Sequence, residues 1–455
     1  MKKITIALFL FLILLFSIFN YSINCKSITL INKKNNFDGY TLITPEFSKK
    51  TLLLNNAGRV VHTWKSDYAV TGSNYLLEDG TLIHCCSIGF NYENFFKIDS
   101  GWCGRVEMID WEGNLIWEFE LVNDTSCIHN DIKTLPNGNI LMIMWERKTI
   151  DEAVQAGCKP ELLQPNSDWK LTEAIIEVEP TYPKGGNIVW KWEAWDHLIQ
   201  DYDETKDNYG VVSDHPELFN LNYMGVERDP LFPNLEYDQL HMNSIDYNPE
   251  LDQILLSSRN LNEIYIIDHS TTTEEAKGHS GGNSGKGGDI LYRWGNPQSY
   301  NRGEEKDQKL FAQHDAQWIK PGLPGEGNIL LYNNGYDRPG QEYSSIIEIK
   351  PPVDENNKYI LEEDTCYGPE EPFWEYNPIF KRLFYSSFSS GCQRLPNGNT
   401  FVICGYKGLL YEVTKDKEIV WLFINRIPLP IFGLNIVFKG RKYSKDYPGL
   451  LKLNI

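Results

Sequence analysis

Short apolar runs separated by polar turns recur along this chain, and three of them share one turn chemistry. Leu135-Pro-Asn-Gly-Asn139 and Leu395-Pro-Asn-Gly-Asn399 are near copies, and Leu77-Glu-Asp-Gly-Thr81 is a degenerate third. Each leads into an apolar run: Ile140-Leu-Met-Ile-Met144, Thr400-Phe-Val-Ile-Cys404 and Leu82-Ile83. Proline presets one dihedral and Asn-Gly tolerates positive φ, so each segment predicts a β-hairpin. A second pair of runs follows, with apolar alternation, an acidic turn and then a Trp- or Tyr-bearing strand. Arg105-Val-Glu-Met-Ile-Asp110 precedes Asn114-Leu-Ile-Trp-Glu-Phe119, and Ala174-Ile-Ile-Glu-Val-Glu179 precedes Asn187-Ile-Val-Trp-Lys-Trp192. Glu263-Ile-Tyr-Ile-Ile-Asp268 with Asp289-Ile-Leu-Tyr-Arg-Trp294, and Leu409-Leu-Tyr-Glu-Val413 with Glu418-Ile-Val-Trp-Leu-Phe423, repeat the form.

Two hairpins make a four-stranded antiparallel unit, and about six units can be counted. Repetition of such sheets predicts an all-β, six-bladed β-propeller over residues 26–426, in preference to a two-sheet sandwich. Gly39-Tyr-Thr-Leu-Ile43 lacks a preceding partner and Leu409–Phe423 a following one, so an N-terminal strand is expected to complete the last blade and close the ring. Residues 427–455 read as a mildly basic tail packing on the propeller. Ala194–Leu240 reads as an acidic insertion over one face, and Thr271–Gly288, rich in Ser, Gly and Thr, as a mobile surface excursion. Its Ser284-Gly-Lys-Gly287 lacks phosphate-loop spacing.

Composition narrows the function classes. The 13 Trp, 25 Tyr and 21 Phe suit face-packed sheets, and a net charge of −19 argues against a nucleic-acid partner. Met-Lys-Lys followed by an apolar run from Ile4 to Phe19 has the layout of a signal peptide over residues 1–25, cleaved near Cys25. The rival reading is an uncleaved membrane anchor. A secreted or periplasmic protein is therefore expected, which fits the glycosylation sequon Asn123-Asp-Thr125. Nine cysteines, eight once Cys25 is removed, permit disulfides without specifying their pairing. Neither a cofactor nor a structural metal is expected.

In a propeller the first strand of each blade lines the central channel. Three histidines open such strands: His129-Asn-Asp-Ile132, His241-Met-Asn-Ser-Ile245 and His314-Asp-Ala-Gln317, with Arg338 beyond the next strand. Strand alternation puts Asp131 beside His129 and Asn243 beside His241, where each would hold an imidazole tautomer. A blander reading makes these imidazoles ordinary hydrogen-bonding groups around a wet channel. His62, His84, His197, His215, His269 and His279 fall on blade exteriors, turns or insertions and read as structural or solvent-facing.

Several stretches resemble the bacterial-type arylsulfotransferases: Leu256-Ser-Ser-Arg-Asn-Leu-Asn-Glu-Ile-Tyr-Ile-Ile-Asp268, Arg293-Trp-Gly-Asn-Pro-Gln298, Gln313-His-Asp-Ala-Gln-Trp-Ile319, Gly325-Glu-Gly-Asn-Ile-Leu330, Asn333-Asn-Gly335 with Arg338, and Gln393-Arg-Leu-Pro-Asn-Gly-Asn399. The resemblance runs from about Gly39 to Tyr447-Pro-Gly449. It implies an exported propeller that moves a sulfuryl group from an aryl sulfate donor to a phenolic acceptor through a channel sulfohistidine. His241, His314 and Arg338 match the family's channel histidines and arginine, and His129 matches an earlier His-x-Asp element. The family's nucleophilic histidine lies on a later blade, where this chain reads Ser386-Ser-Phe-Ser-Ser-Gly-Cys-Gln-Arg-Leu395. Ser389 or Ser390 stands at that place, and no histidine follows His314.

Three readings remain. His314 is the nucleophile with Arg338 and Arg394 as anion clamps; a hydroxyl or Cys392 substitutes; or the propeller is a secreted binding module without transfer chemistry. A calcium-dependent lactonase would need converging carboxylates and amides, and a sialidase its own repeats; the sequence offers neither.

Overall fold

The computed structural model describes residues 27–88, 104–163, 168–225, 238–426 and 435–453. Six antiparallel sheets of four strands stand in a ring, the sixth with a fifth strand at its edge. From the channel outward, blade 1 runs Val437–Ser444, Gly39–Pro45, Lys50–Asn55, Val60–Lys65, and blade 2 runs Ala69–Leu76, Leu82–Ser87, Gly104–Ile109, Leu115–Glu120. Blade 3 is Ser126–Thr134, Ile140–Thr149, Trp169–Pro180, Gly186–Glu193, and blade 4 is Met242–Asn248, Gln253–Ser258, Glu263–Asp268, Tyr292–Trp294. Blade 5 is His314–Trp318, Ile329–Asn333, Ser345–Ile349, Trp374–Tyr376, and blade 6 is Gly391–Arg394, Thr400–Cys404, Leu409–Val413, Ile419–Ile424, with Ile28–Asn32 outside it.

Both faces of each blade are apolar because each packs against a neighbour. Six buried clusters result, one per interface. Leu53 and Trp64 meet Leu82 and Ile109 between blades 1 and 2, and Leu52 and Leu54 meet Phe401 and Trp421 between blades 6 and 1. The Trp-bearing outer strands also have a directional role. Indole Nε1 of Trp64, Trp117, Trp192, Trp294, Trp374 and Trp421 donates to the carbonyl of Asp110, Gly185, Gly288, Pro369, Lys415 and Asn56 respectively, at 2.7–3.1 Å. Every acceptor lies in the outer connection of the following blade. The ring is thus stitched at its rim by six equivalent bonds, each satisfying the one polar atom of an indole that is buried in five cases and half-buried at Trp374.

Ring closure differs from the sequence expectation. Leu409–Val413 finds its inner hairpin in Gly391–Cys404 of its own blade, and Gly39–Pro45 pairs with Val437–Ser444. The segment read as a tail therefore supplies the innermost strand of blade 1. The N-terminal Ile28–Asn32 adds only an outer edge to blade 6. Val437-Phe-Lys-Gly-Arg-Lys-Tyr-Ser444 lacks the apolar signature of a strand because its alternate positions carry cations.

Thr271–Gly288 is also an ordered element. Thr272 and Glu275 form a capping box on the turn Thr273–Ala276, Ala276 is fully buried, and the Asp268 carboxylate accepts the Ser270 and Ser284 amides. The signal segment with Cys25 lies outside the described residues, among which no helix is long and apolar enough to cross a membrane. Seven cysteines are described and all are free thiols, so no disulfide forms among the described residues. Asn123 of the sequon is exposed, its Oδ1 accepting the amides of Thr125 and Ser126.

Candidate functional site at the channel mouth

The start of nearly every inner strand is kinked by a register shift against its neighbour. Left-handed residues mark the same places: Asn130 (φ 55°), His241 (φ 44°), Asp315 (φ 58°) and Ser389 (φ 54°). Such bulges re-aim side chains and cancel simple alternation. The imidazole partners are therefore not the ones that strand period predicts. Asp131 turns away from His129, which instead bonds Glu173 (Nε2–Oε2, 2.8 Å) and stacks on Trp145 with ring centroids 3.8 Å apart. Asn243 donates to the Gln313 carbonyl, while His241 Nδ1 donates to Asp238 Oδ2 at 2.7 Å. That carboxylate also accepts Trp145 Nε1 (2.9 Å) and the His241 amide (3.1 Å). His314 Nδ1 faces the Asn334 side-chain oxygen at 2.8 Å and the Ala312 carbonyl at 3.0 Å.

The structure brings the three sequence-predicted histidines to one end of the channel. The His129 and His241 rings lie 6.1 Å apart, and His241 acts electrostatically on both of the others. Burial, then His241, holds His129 well below the ordinary histidine pKa; burial, then the neighbouring Asp238, pushes the Glu173 carboxyl well up. Both shifts disfavour the charged forms of this pair. Burial, reinforced by the charge of Arg259, lowers His314 to about 3. A neutral His314 bonded through Nδ1–H presents Nε2 as an acceptor, and the backbone amide of Ser389 donates to it at 3.2 Å. Both nitrogens of His314 are thus occupied. His241 differs: Asp238 fixes its Nδ1–H, and Nε2 makes no hydrogen bond among the described residues.

The expected clamps divide. Arg338 lies between the rings of Phe311 (4.8 Å) and Tyr343 (4.2 Å) and donates to the Tyr343 hydroxyl, with its buried Nε and Nη2 unpartnered. Its charge acts on Tyr343 and on Glu375 of the outermost strand of blade 5. Arg394 sits at the other end of its strand, bonded to Glu348 at 2.5 Å, and cannot serve as a clamp. Burial and Asp315 push the Cys392 thiol well up, which removes it as a nucleophile. The Ser390 hydroxyl is committed to Ser386 and the Gly405 amide. Between blades 5 and 6 an open cleft of about 470 Å³ is lined by Glu342, Arg382, Tyr385 and Lys407. Lys381 lies 3.6 Å above the Tyr343 ring, and Phe388 packs edge-on to Tyr406. Cations interleaved with aromatic rings suit an aromatic anion, despite the acidic charge of the whole chain.

Beneath the histidines a buried ionic hub ties all six blades together. Lys439 and Arg441 of blade 1 bond Asp131 of blade 3 and Asp315 of blade 5. Ser73 and Tyr75 of blade 2 donate to Asp131, as does the Ile245 amide of blade 4, and the Cys392 amide of blade 6 donates to Asp315. Burial opposes the charge on Lys439, but Asp131 and Asp315 outweigh it and hold the ammonium above the usual lysine range. The aspartates next to His129 and His314 serve this hub.

Glu173, Asp238, Arg259 and Asn334 are site residues that the strand and turn pattern of the sequence does not mark. Arg259 and Asn334 lie in stretches that carry the family resemblance, whereas Glu173 and Asp238 have no local signature. A family model described as Arylsulfotransferase (ASST) matches residues 25–425. A search of curated proteins finds no match. Among solved structures, a protein of unknown function from Bacteroides caccae aligns with 11% identity over 88% of this chain and 98% of its own, at a TM-score of 0.45. A streptogramin B lyase aligns with 11% identity over 92% and 97%, at 0.40. A virginiamycin B lyase from Staphylococcus aureus aligns with 10% identity over 90% of each chain, at 0.35.

Proposed function

The chain belongs to the arylsulfotransferase family, and from that premise we propose that its channel moves a sulfuryl group from an aryl sulfate ester to a phenolic acceptor with His241 as the carrier. The observation that carries this reading is the Asp238–His241 pair at 2.7 Å. A carboxylate behind Nδ1–H fixes the tautomer, aims Nε2 into the channel and stabilises the cation formed when that atom bonds. His241 Nε2 attacks sulfur, the N–S bond forms, and the S–O bond to the aryl group breaks with its electron pair leaving on the phenolate. The acceptor phenol then attacks sulfur, the N–S bond breaks and its electrons return to Nε2. The proton lost by the acceptor balances the one taken by the released phenolate, so His241 is unchanged. Arg338 and Arg259 supply fixed positive charge near the transferring oxygens, where preorganised charge counts most. The neutral His314 acts as a positioning residue by gripping the Ser389 amide.

A second reading, a secreted binding module, draws on Ser389 standing where the family places a histidine. One experiment separates the two. Protein incubated with 4-nitrophenyl sulfate and phenol should release 4-nitrophenolate in an acceptor-dependent manner, and without acceptor the His241 peptide should gain a sulfuryl group by mass spectrometry. His241→Ala should lose both, with turnover falling by about 10³-fold or more. Transfer that survives in His241→Ala sinks the carrier assignment, and no transfer by the wild type favours the binding module.

A further inference from the structure

We propose that His197, His279 and Asp289 form a binding site for one divalent transition-metal ion, zinc by its donor set, which fastens the Thr271–Gly288 loop to the rim of the propeller. The three side chains come from separate segments and lie away from the channel histidines. His197 Nδ1 and His279 Nδ1 converge on the same Asp289 oxygen, at 2.9 and 2.7 Å. On its other side His197 donates Nε2–H to the Ala276 carbonyl at 2.8 Å, and its ring stacks parallel to Trp192. A carbonyl only accepts, so a neutral His197 must turn the lone pair of Nδ1 toward a carboxylate oxygen that also presents lone pairs. A cation between them resolves the conflict. A ring nitrogen oriented by a backbone carbonyl on its far side is how metal-binding imidazoles are held.

The surroundings favour a metal over a lone proton. His197 is fully buried and rigid, while the His279 side chain is 62% exposed and leaves an open side for a water ligand. Two imidazoles and one carboxylate make a borderline donor set suited to zinc. Bonds of about 2.0 Å need donors about 3.3 Å apart in a tetrahedron, so the Asp289 carboxylate and the His279 ring, both joined to the glycine-rich loop, need shift by only about half an ångström from the 2.9 and 2.7 Å contacts. No lysine or arginine forms an ion pair with Asp289 among the described residues. The other cluster of this kind, His84, Cys86 and Glu107, has its carboxylate already neutralised by Arg105 at 2.8 Å.

The location supplies a purpose. Gly288 accepts the rim bond of Trp192, and a Cβ there would lie 2.1 Å from the Ala276 oxygen and 2.6 Å from His197 Nε2. The acceptor of the corresponding bond from Trp117 lies in a short turn closed by Gly185, whereas in blade 4 it ends a long loop. An ion at this point holds that loop in register.

Full-length protein stripped with chelator and titrated with zinc by calorimetry should bind one saturable equivalent, with a matching rise in melting temperature. Cobalt should give the visible absorption of a four-coordinate site. His279→Ala, at an exposed position that folding tolerates, and Asp289→Asn should each weaken binding by at least about 10-fold, while Glu107→Gln and His215→Ala leave it unchanged. Absence of saturable binding overturns the proposal, as does binding that survives in both ligand variants or is lost in Glu107→Gln.

Discussion

His314 and His129 refuse protons in the folded protein, and that has a measurable cost. An imidazole in the unfolded chain titrates near pH 6.5, whereas burial and Arg259 hold His314 at about 3. Between those values the unfolded chain binds a proton that the folded one excludes, so this contribution is complete above pH 6.5 and is lost as the pH falls toward 3. The slope reaches about 1.4 kcal/mol per pH unit for each such histidine. Denaturant melts between pH 7 and 4 should show the decline, and His314→Gln should flatten it; an equally steep decline in the variant would refute the assignment. At Asp238 the expectation is kinetic. Asp238→Asn keeps a side chain in place but loses the anion behind Nδ1–H, so turnover should drop by about 100-fold with a smaller change in KM. The positions of the histidines were legible in the sequence because hairpin turns fix where each inner strand begins. Their partners were not, because left-handed residues such as Asn130 and Asp315 cancel the strand period, Glu173 arrives from a distant strand, and Asp238 lies three residues before His241, outside the strand that His241 opens.

Among the elements, the outer strands were recognisable by their tryptophans, although what those indoles do was not. Sequence patterning shows a large side chain at a recurring place; only the ring of blades shows that Nε1 reaches the next blade. Trp117→Phe keeps most of the apolar surface and removes the bond to Gly185, so it should cost about 1 to 2 kcal/mol in a denaturant titration. No loss would mean that shape alone holds the rim. The Thr271–Gly288 loop is the opposite case. Its composition reads as mobile, and its order comes from a capping box, a buried Ala276 and carboxylate-to-amide bonds. Composition records the absence of an apolar stripe and is silent about polar fastening.

At the scale of the whole molecule, the six-fold count was legible and the closure was not. A strand reading Phe-Lys-Gly-Arg-Lys lacks an apolar signature because its charges are matched inside: Lys439 and Arg441 by the hub, Lys442 by Glu412 at 2.9 Å. Lys439→Met strands part of two buried carboxylates and should cost about 3 to 5 kcal/mol, seen as a lowered denaturation midpoint. Closure by this strand also sets a timetable. Gly39–Pro45 leaves the ribosome early, but the strand that pairs with it is made nearly four hundred residues later. Once made, Asp131 and Asp315 wait for Lys439 and Arg441 of that last strand, which supply their ion pairs in the finished hub. A protein of this design stays unfinished until its last strand arrives. Nascent chains released short of Val437 should remain open to protease throughout, and chains extended past Ser444 should become resistant in a single step.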